Sequence, residues 1–172
     1  MIETVLYILT LNTILLSTNR IINNNILICS NDKVVSSVSE LENNYSVDKS
    51  IILRTYSLKF NALRPCELLD FHESTFFLDS LANFLSDNRE VIMEVGVHLS
   101  LRYSDNYSNR FDCKHVEIIS KLLERGVLPS QLTGFSYLNK KPIIKSDKLE
   151  EETLEFQEKE IATNVRIEFK IE

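Results

Sequence analysis

Residues Val91 to Pro142, VIMEVGVHLS LRYSDNYSNR FDCKHVEIIS KLLERGVLPS QLTGFSYLNK KP, decide the fold. Val91, Met93, Val95, Val97 and Leu99 alternate with Ile92, Glu94, Gly96 and His98, the period of a strand with one buried face. A polar loop follows, Ser104 to Asn109. Val116, Ile119 and Leu123, flanked by Ile118 and Leu122, then fall at helical spacing. Asp112 is the expected N-cap, because its carboxylate can accept from backbone N–H groups one turn in. Lys121 and Arg125 occupy the last turn, where cations oppose the negative helix end. Gly126 stands where helices stop, and Leu132 to Tyr137 reads as a short strand. A parallel strand pair needs a crossover of about this length, so the stretch predicts a right-handed βαβ unit.

Outward from this unit, the totals set bounds. A chain of 172 residues suits one domain plus an extension. Its formal net charge of −6, with no basic cluster, argues against nucleic acid as the main partner, because a phosphate backbone requires a Lys/Arg surface. Three glycines, Gly96, Gly126 and Gly134, leave no Gly-rich loop for a phosphate. Cys29, Cys66 and Cys113 lack metal-ligand spacing and read as reduced, semi-buried thiols, with a disulfide between two of them left open. No cofactor or metal is expected.

Residues 2–16 form the most apolar run, shorter than the ~20 residues of a membrane helix and without a basic lead. Ile26-Leu27-Ile28-Cys29 loosely resembles a lipoprotein cleavage box, with Ile28 where a small residue is required. Two short strands around Asn23-Asn24-Asn25 are the favoured alternative. Residues 30–50 read as a polar loop or linker with a short strand at Val34-Val35, and Ile51 to Phe60 as a strand. Leu78, Leu81, Ala82 and Leu85 predict a helix capped by Ser74 or Thr75 and ended by Asp87-Asn88. The Glu-rich segment from Leu138 to Thr163 reads as a solvated loop or short helix. Val165, Ile167, Phe169 and Ile171, alternating with Arg166, Glu168 and Lys170, make the cleanest strand. The expected class is α+β, with two main helices on one face of a mixed sheet over residues 51–172, and residues 1–50 as an extension.

This order, with Leu132-Thr133, Tyr137, Lys140-Lys141-Pro142-Ile143 and the closing Asn164-Val165-Arg166-Ile167-Glu168-Phe169, resembles the OmpA-like domain, the peptidoglycan-associating module of bacterial envelope proteins. The resemblance implies β-α-β-α-β-β order, a periplasmic or outer-membrane-associated place, envelope protein partners, and a diaminopimelate stem peptide as ligand. The family grips that zwitterion between an Asp after its second strand and an Arg in the next helix. An anion and a bidentate cation a few ångströms apart suit an ammonium and a carboxylate.

The chain departs from the family at this site. Counting back from Gly126 puts Leu99 at the Asp position and Lys114 at the Arg position. Aligning on the polar loop instead puts His98 at the family's His, Ser100 at the Asp and His115 at the Arg. Neither register supplies the charge pair. Val165 replaces the first Arg of the closing strand, leaving Asn164 and Arg166. The family's third-strand glycines are Ser136 and Leu138. The expected function is therefore a non-catalytic envelope module with a structural or assembly role and weak or lost peptidoglycan binding. One alternative is an active anchor using relocated charges at Arg102 and Asp105. Another is a hydrolase built on Cys113 and His115, disfavoured because residues two apart on a helix point to different sides.

Overall fold

The structure is a computed structural model that describes residues 33–45, 50–55, 57–103, 111–145 and 153–171. The apolar run 2–16, the expected strands before Cys29, the lipoprotein-like box and Asp105 lie outside the described residues. The elements run β1 (Lys33–Val35), α1 (Val38–Tyr45), β2 (Ile51–Thr55), α2 (His72–Asp87), β3 (Met93–His98), α3 (Lys114–Leu123), β4 (Leu132–Leu138), α4 (Leu154–Asn164) and β5 (Arg166–Ile171).

The five strands form one mixed sheet in the order β1-β2-β5-β3-β4. β3 and β4 pair in parallel across the α3 crossover, as the central stretch predicts. β5 lies between β2 and β3, antiparallel to both. Its register sets Phe169 beside Leu53 and Val95, and Ile171 beside Ile51 and Met93. These residues are buried and form the core with Leu78, Leu81 and Leu85 of α2 and Ile118 and Leu122 of α3. Two main helices thus cover one sheet face, and α1 joins them through Val38 and Leu41. Burying a Leu or Phe side chain contributes about 1.5–3 kcal/mol, which fixes the register, because a one-residue slip would expose the whole row.

Several local expectations are corrected. The short strand expected at Val34-Val35 is β1, parallel to β2, but the polar stretch after it carries helix α1, which the linker reading did not foresee. Its sequence signal is Ser37-x-x-Glu40: Ser37 Oγ accepts from Glu40 N at 3.2 Å, and the Glu40 carboxylate accepts from Ser36 N at 3.0 Å. The strand expected to reach Phe60 is assigned as Ile51–Thr55; Phe60 instead bridges to Leu68 in a turn. Ser74 does not cap α2. Its buried hydroxyl donates to Ser57 O at 2.8 Å and accepts from Lys59 N at 3.3 Å, while Thr75 donates to Asp70. Asp112 does not cap α3 either, since the N-cap is Cys113, without a side-chain cap bond.

The buried stripe of α3 runs through Ile118 and Leu122, while Val116 and Leu123 are exposed. On the same helix, His115 and Ile119 pack over Gly134 of β4. A Cβ there would meet His115 Cδ2 at 2.6 Å and Ile119 Cδ1 at 2.7 Å, so these two side chains occupy the space a side chain would fill. α3 stops as predicted. Gly126 has φ +87°, Val127 N donates to Leu122 O and Gly126 N to Leu123 O, the paired bonds of a Schellman end. β4 ends on Leu138 at φ 52°, a left-handed conformation that costs a non-glycine residue about 1–2 kcal/mol. The register of β3 against β4 shifts at that point, and Leu99 N donates to Leu138 O at 2.7 Å.

Candidate functional site

The loop leaving β3 is sealed from within the chain. Leu99 and Ser100 are both buried. Ser100 Oγ donates to Glu160 Oε2 at 2.6 Å and accepts from Arg102 N at 3.0 Å. Leu101 N donates to Glu160 Oε1 at 3.1 Å, and Arg102 Nε lies 3.5 Å from Glu160 Oε2. One turn along α4, Asn164 Nδ2 donates to Glu160 Oε1 at 2.6 Å and to Ile144 O at 2.8 Å. Asn164 Oδ1 accepts from Ile143 N and Ile144 N. Glu160 is 0% exposed. The expectation of a solvated Glu-rich segment is wrong at this residue, because a buried carboxylate is tolerated only where donors converge on it.

The other polar cluster lies on the sheet face opposite the core. Glu168 Oε1 is 2.7 Å from both Arg54 Nε and Arg166 Nε, bridging the cations of β2 and β5. Arg166 also donates through Nη1 to Asn164 O and through Nη2 to Lys141 O, both at 3.1 Å. Burial raises the Glu168 pKa, but His98, Arg166 and Arg54 around it more than offset that and hold it well below the usual carboxylate range. His98 is 2% exposed and stacks on Tyr137, ring centroids 4.9 Å apart. Its Nε2 lies 3.2 Å from Glu168 Oε2, while Nδ1 has no hydrogen-bond partner among the described residues. Burial pushes the His98 pKa down, against the pull of Glu168. Tyr137 donates to Glu94 at 2.7 Å, and burial with that bond raises its pKa to about 12. Lys141 Nζ sits 3.6 Å from the Tyr137 ring centre. Glu94, His98, Tyr137, Lys141 and Glu168 border a cavity of about 320 Å³.

This cluster makes the fold acid-sensitive. Glu168 is held below its unfolded value of 4.5, so its contribution is complete above that pH and is lost as pH falls toward the folded value. His98, held below 6.5, acts in the same direction from 6.5 downward. In urea titrations between pH 7 and pH 3, stability is expected to fall below pH 6.5 and more steeply below 4.5. Glu168→Gln should flatten the lower limb. Parallel curves for both proteins would contradict this assignment.

The remaining sequence candidates are dispersed. Lys114 is not aimed at an open cleft: its Nζ lies 4.3 Å from the Phe60 ring centre and 4.6 Å from that of Phe111, and burial lowers its pKa to about 8. His115 packs on Gly134 of β4. Cys113 is disulfide-bonded to Cys66, with Cα atoms 5.4 Å apart, so the reduced-thiol reading is corrected for this pair and the proposed nucleophile is not a thiol. Ser100 is brought together with Arg102 and Asn164 around Glu160, and His98 with Arg166 around Glu168, while Leu99 is buried and bonded to Leu138 O. Sequence reading missed both carboxylates as organisers. The available signal was the Glu160–Asn164 spacing of four on one helix face. Among the described residues, no cluster of three or more His, Cys, Asp or Glu could hold a metal, and no helix is long and apolar enough to cross a membrane.

No protein-family model matches the chain, and no curated protein does. Solved structures do. A putative MotB-like protein from Desulfovibrio vulgaris is 20% identical over 78% of this chain and 88% of its own, with a TM-score of 0.57. The periplasmic domain of Helicobacter pylori MotB is 20% identical over 73% of this chain and 77% of its own, TM-score 0.53. The peptidoglycan-associated lipoprotein from Burkholderia pseudomallei is 16% identical over 73% of this chain and 91% of its own, TM-score 0.50. The α+β fold expected from the sequence, the OmpA-like arrangement of strands and helices, is the fold of this chain.

Proposed function

We propose that this chain is a non-catalytic module of the bacterial cell envelope. It works in the periplasm as a structural or assembly part and has weak or lost peptidoglycan binding. The observation that carries this reading is the internal closure of the loop after β3. Both positions that could match the family's aspartate, Leu99 and Ser100, are buried, and the Ser100 hydroxyl is committed to Glu160. The Glu160 carboxylate beside them is 0% exposed and already engaged by Ser100, Leu101 N, Asn164 and Arg102, so it is not open to a stem-peptide ammonium. A hydrogen bond to a charged group is worth about 1.5–3 kcal/mol, so losing it weakens binding roughly ten- to a hundredfold. The Cys66–Cys113 bond supports an oxidising compartment such as the periplasm. The OmpA-like fold and its MotB and peptidoglycan-associated lipoprotein neighbours support an envelope setting with protein partners.

The test is co-sedimentation of the purified protein with purified sacculi, alongside an OmpA-like domain that keeps the Asp and Arg. This chain is expected to be retained at least about tenfold more weakly. Saturable retention equal to the control would overturn the reading. If that retention were abolished by Asp105→Ala, the relocated-charge anchor would replace it.

A further inference from the structure

Among the described strands, β4 lies at one end of the sheet and pairs only with β3. Its outer edge is an open row of backbone donors and acceptors, and among the described residues no turn or loop bond uses Thr133 to Ser136. Open edges invite pairing, and folded chains guard them with shortness, charge or proline. β1, at the opposite edge, has three residues and includes Lys33. β4 has seven, Leu132 to Leu138, with no charged residue and no proline. The edge is also apolar on both sides of the sheet. On the helix-free face Phe135 is 52% exposed, its ring 4.7 Å from that of Tyr137. On the helix face, Ile119 of α3 rests on Gly134. Val116 and Leu123, three residues before it and four after, share its side of the helix and are 57% and 38% exposed. Arg125 leaves from the other flank, to Asp79 of α2. The Val116–Leu123 stripe therefore overhangs the open side of β4, and exposed apolar patches of this kind mark contacts.

The sequence of the strand says what fits there. Leu132-Thr133-Gly134-Phe135-Ser136-Tyr137-Leu138 is nearly symmetric about Phe135. Antiparallel self-pairing centred on that residue sets Phe135 opposite Phe135, Gly134 opposite Ser136 and Thr133 opposite Tyr137. An aromatic side chain then meets its own copy on the two-fold axis, and small residues face each other beneath the helices. No like charges are opposed: Lys140, the first cation after the strand, falls opposite the neutral Ser130. The helices agree with this pairing. α3 packs on both β3 and β4. With strands about 4.8 Å apart, it stands about one strand spacing from the axis, so two copies lie about 10 Å apart, the distance of packed helices.

We infer that the outer edge of β4 is a self-association surface. A second copy of this chain adds its own β4 antiparallel, joining the two sheets into one, and the Val116–Leu123 stripes of the two α3 helices pack against each other above the seam. The contact is isologous, each copy offering the same patch. It lies apart from the stem-peptide position discussed above and does not depend on it.

The experiment is sedimentation equilibrium of the full chain, with circular dichroism to check that each variant is folded. The parent is expected to be a dimer. Phe135→Lys puts two ammonium groups opposite each other at an exposed position and should weaken the dimer about tenfold or more. Phe135→Glu should do the same, and an equal mixture of the two variants should recover the dimer, because opposite charges then meet on the axis. Val116→Glu, on the helix stripe, should also weaken it. Should the Phe135 variants not fold, amide hydrogen exchange of the parent decides instead: Thr133 to Tyr137 should gain protection as protein concentration rises. A parent still monomeric at about 100 μM, where a dimer of micromolar Kd is formed, would overturn the assignment. So would an assembly indifferent to both Phe135 variants, a mixture that stays monomeric, or exchange at Thr133 to Tyr137 that ignores concentration.

Discussion

Glu160→Ala is expected to destabilise the domain by about 3–5 kcal/mol, the cost of removing one partner from a buried charge pair. The substitution leaves Ser100 Oγ, Leu101 N and Asn164 Nδ2 without the acceptor they share, and Arg102 without the carboxylate it faces. Whole domains are stable by only about 5–15 kcal/mol, so the loss takes a large share of the margin. Glu160→Gln keeps one acceptor oxygen but not the charge, and should cost about 1–3 kcal/mol. Urea denaturation followed by circular dichroism measures both. A Glu160→Ala variant within about 0.5 kcal/mol of the parent, the range of ordinary surface changes, would show that the carboxylate does not organise the loop.

The Cys66–Cys113 bond has a comparable effect. It closes a loop with a sequence separation of 47, for which the chain-entropy account gives about 4 kcal/mol and experience with native disulfides about 2–5. It ties the turn bridged by Phe60 and Leu68 to the N-cap of α3, beside the Lys114 ammonium seated between Phe60 and Phe111. A Cys66→Ser/Cys113→Ser double variant, or reduction of the parent, should lower the melting temperature by roughly 10 °C. Identical melting with and without reductant, together with thiol labelling at Cys113 in the untreated protein, would refute it.

The framework was legible because its elements follow simple periods. The alternation in Val91–Leu99 and in Val165–Ile171 placed two central strands, and Leu78, Leu81, Ala82 and Leu85 placed α2, because burial of one face dictates those spacings. The helix starts were less legible. Ser74 and Asp112 have capping chemistry, but tertiary structure claimed Ser74 for the backbone of Ser57 and Lys59 and put Cys113 at the start of α3. The site was least legible. Glu160 sits in a run of glutamates whose other members gave no reason to single it out, and its partners in the loop after β3 lie about 60 residues away in sequence. No local pattern encodes that meeting. The Cys66–Cys113 pairing is hidden for the same reason, since proximity across a long loop is a product of the fold.

β5 is the last of the five described strands in chain order and the middle strand of the sheet, where it joins β2 to β3. Until the ribosome has delivered Arg166–Ile171, both neighbours present open ladders and the Phe169 slot stands empty. Sheet assembly therefore waits until β5 has been made, a non-local closure of the kind that folds slowly. For a polypeptide that must thread a translocation channel before it folds, as the periplasmic proposal requires, such late closure keeps the nascent chain pliable during export.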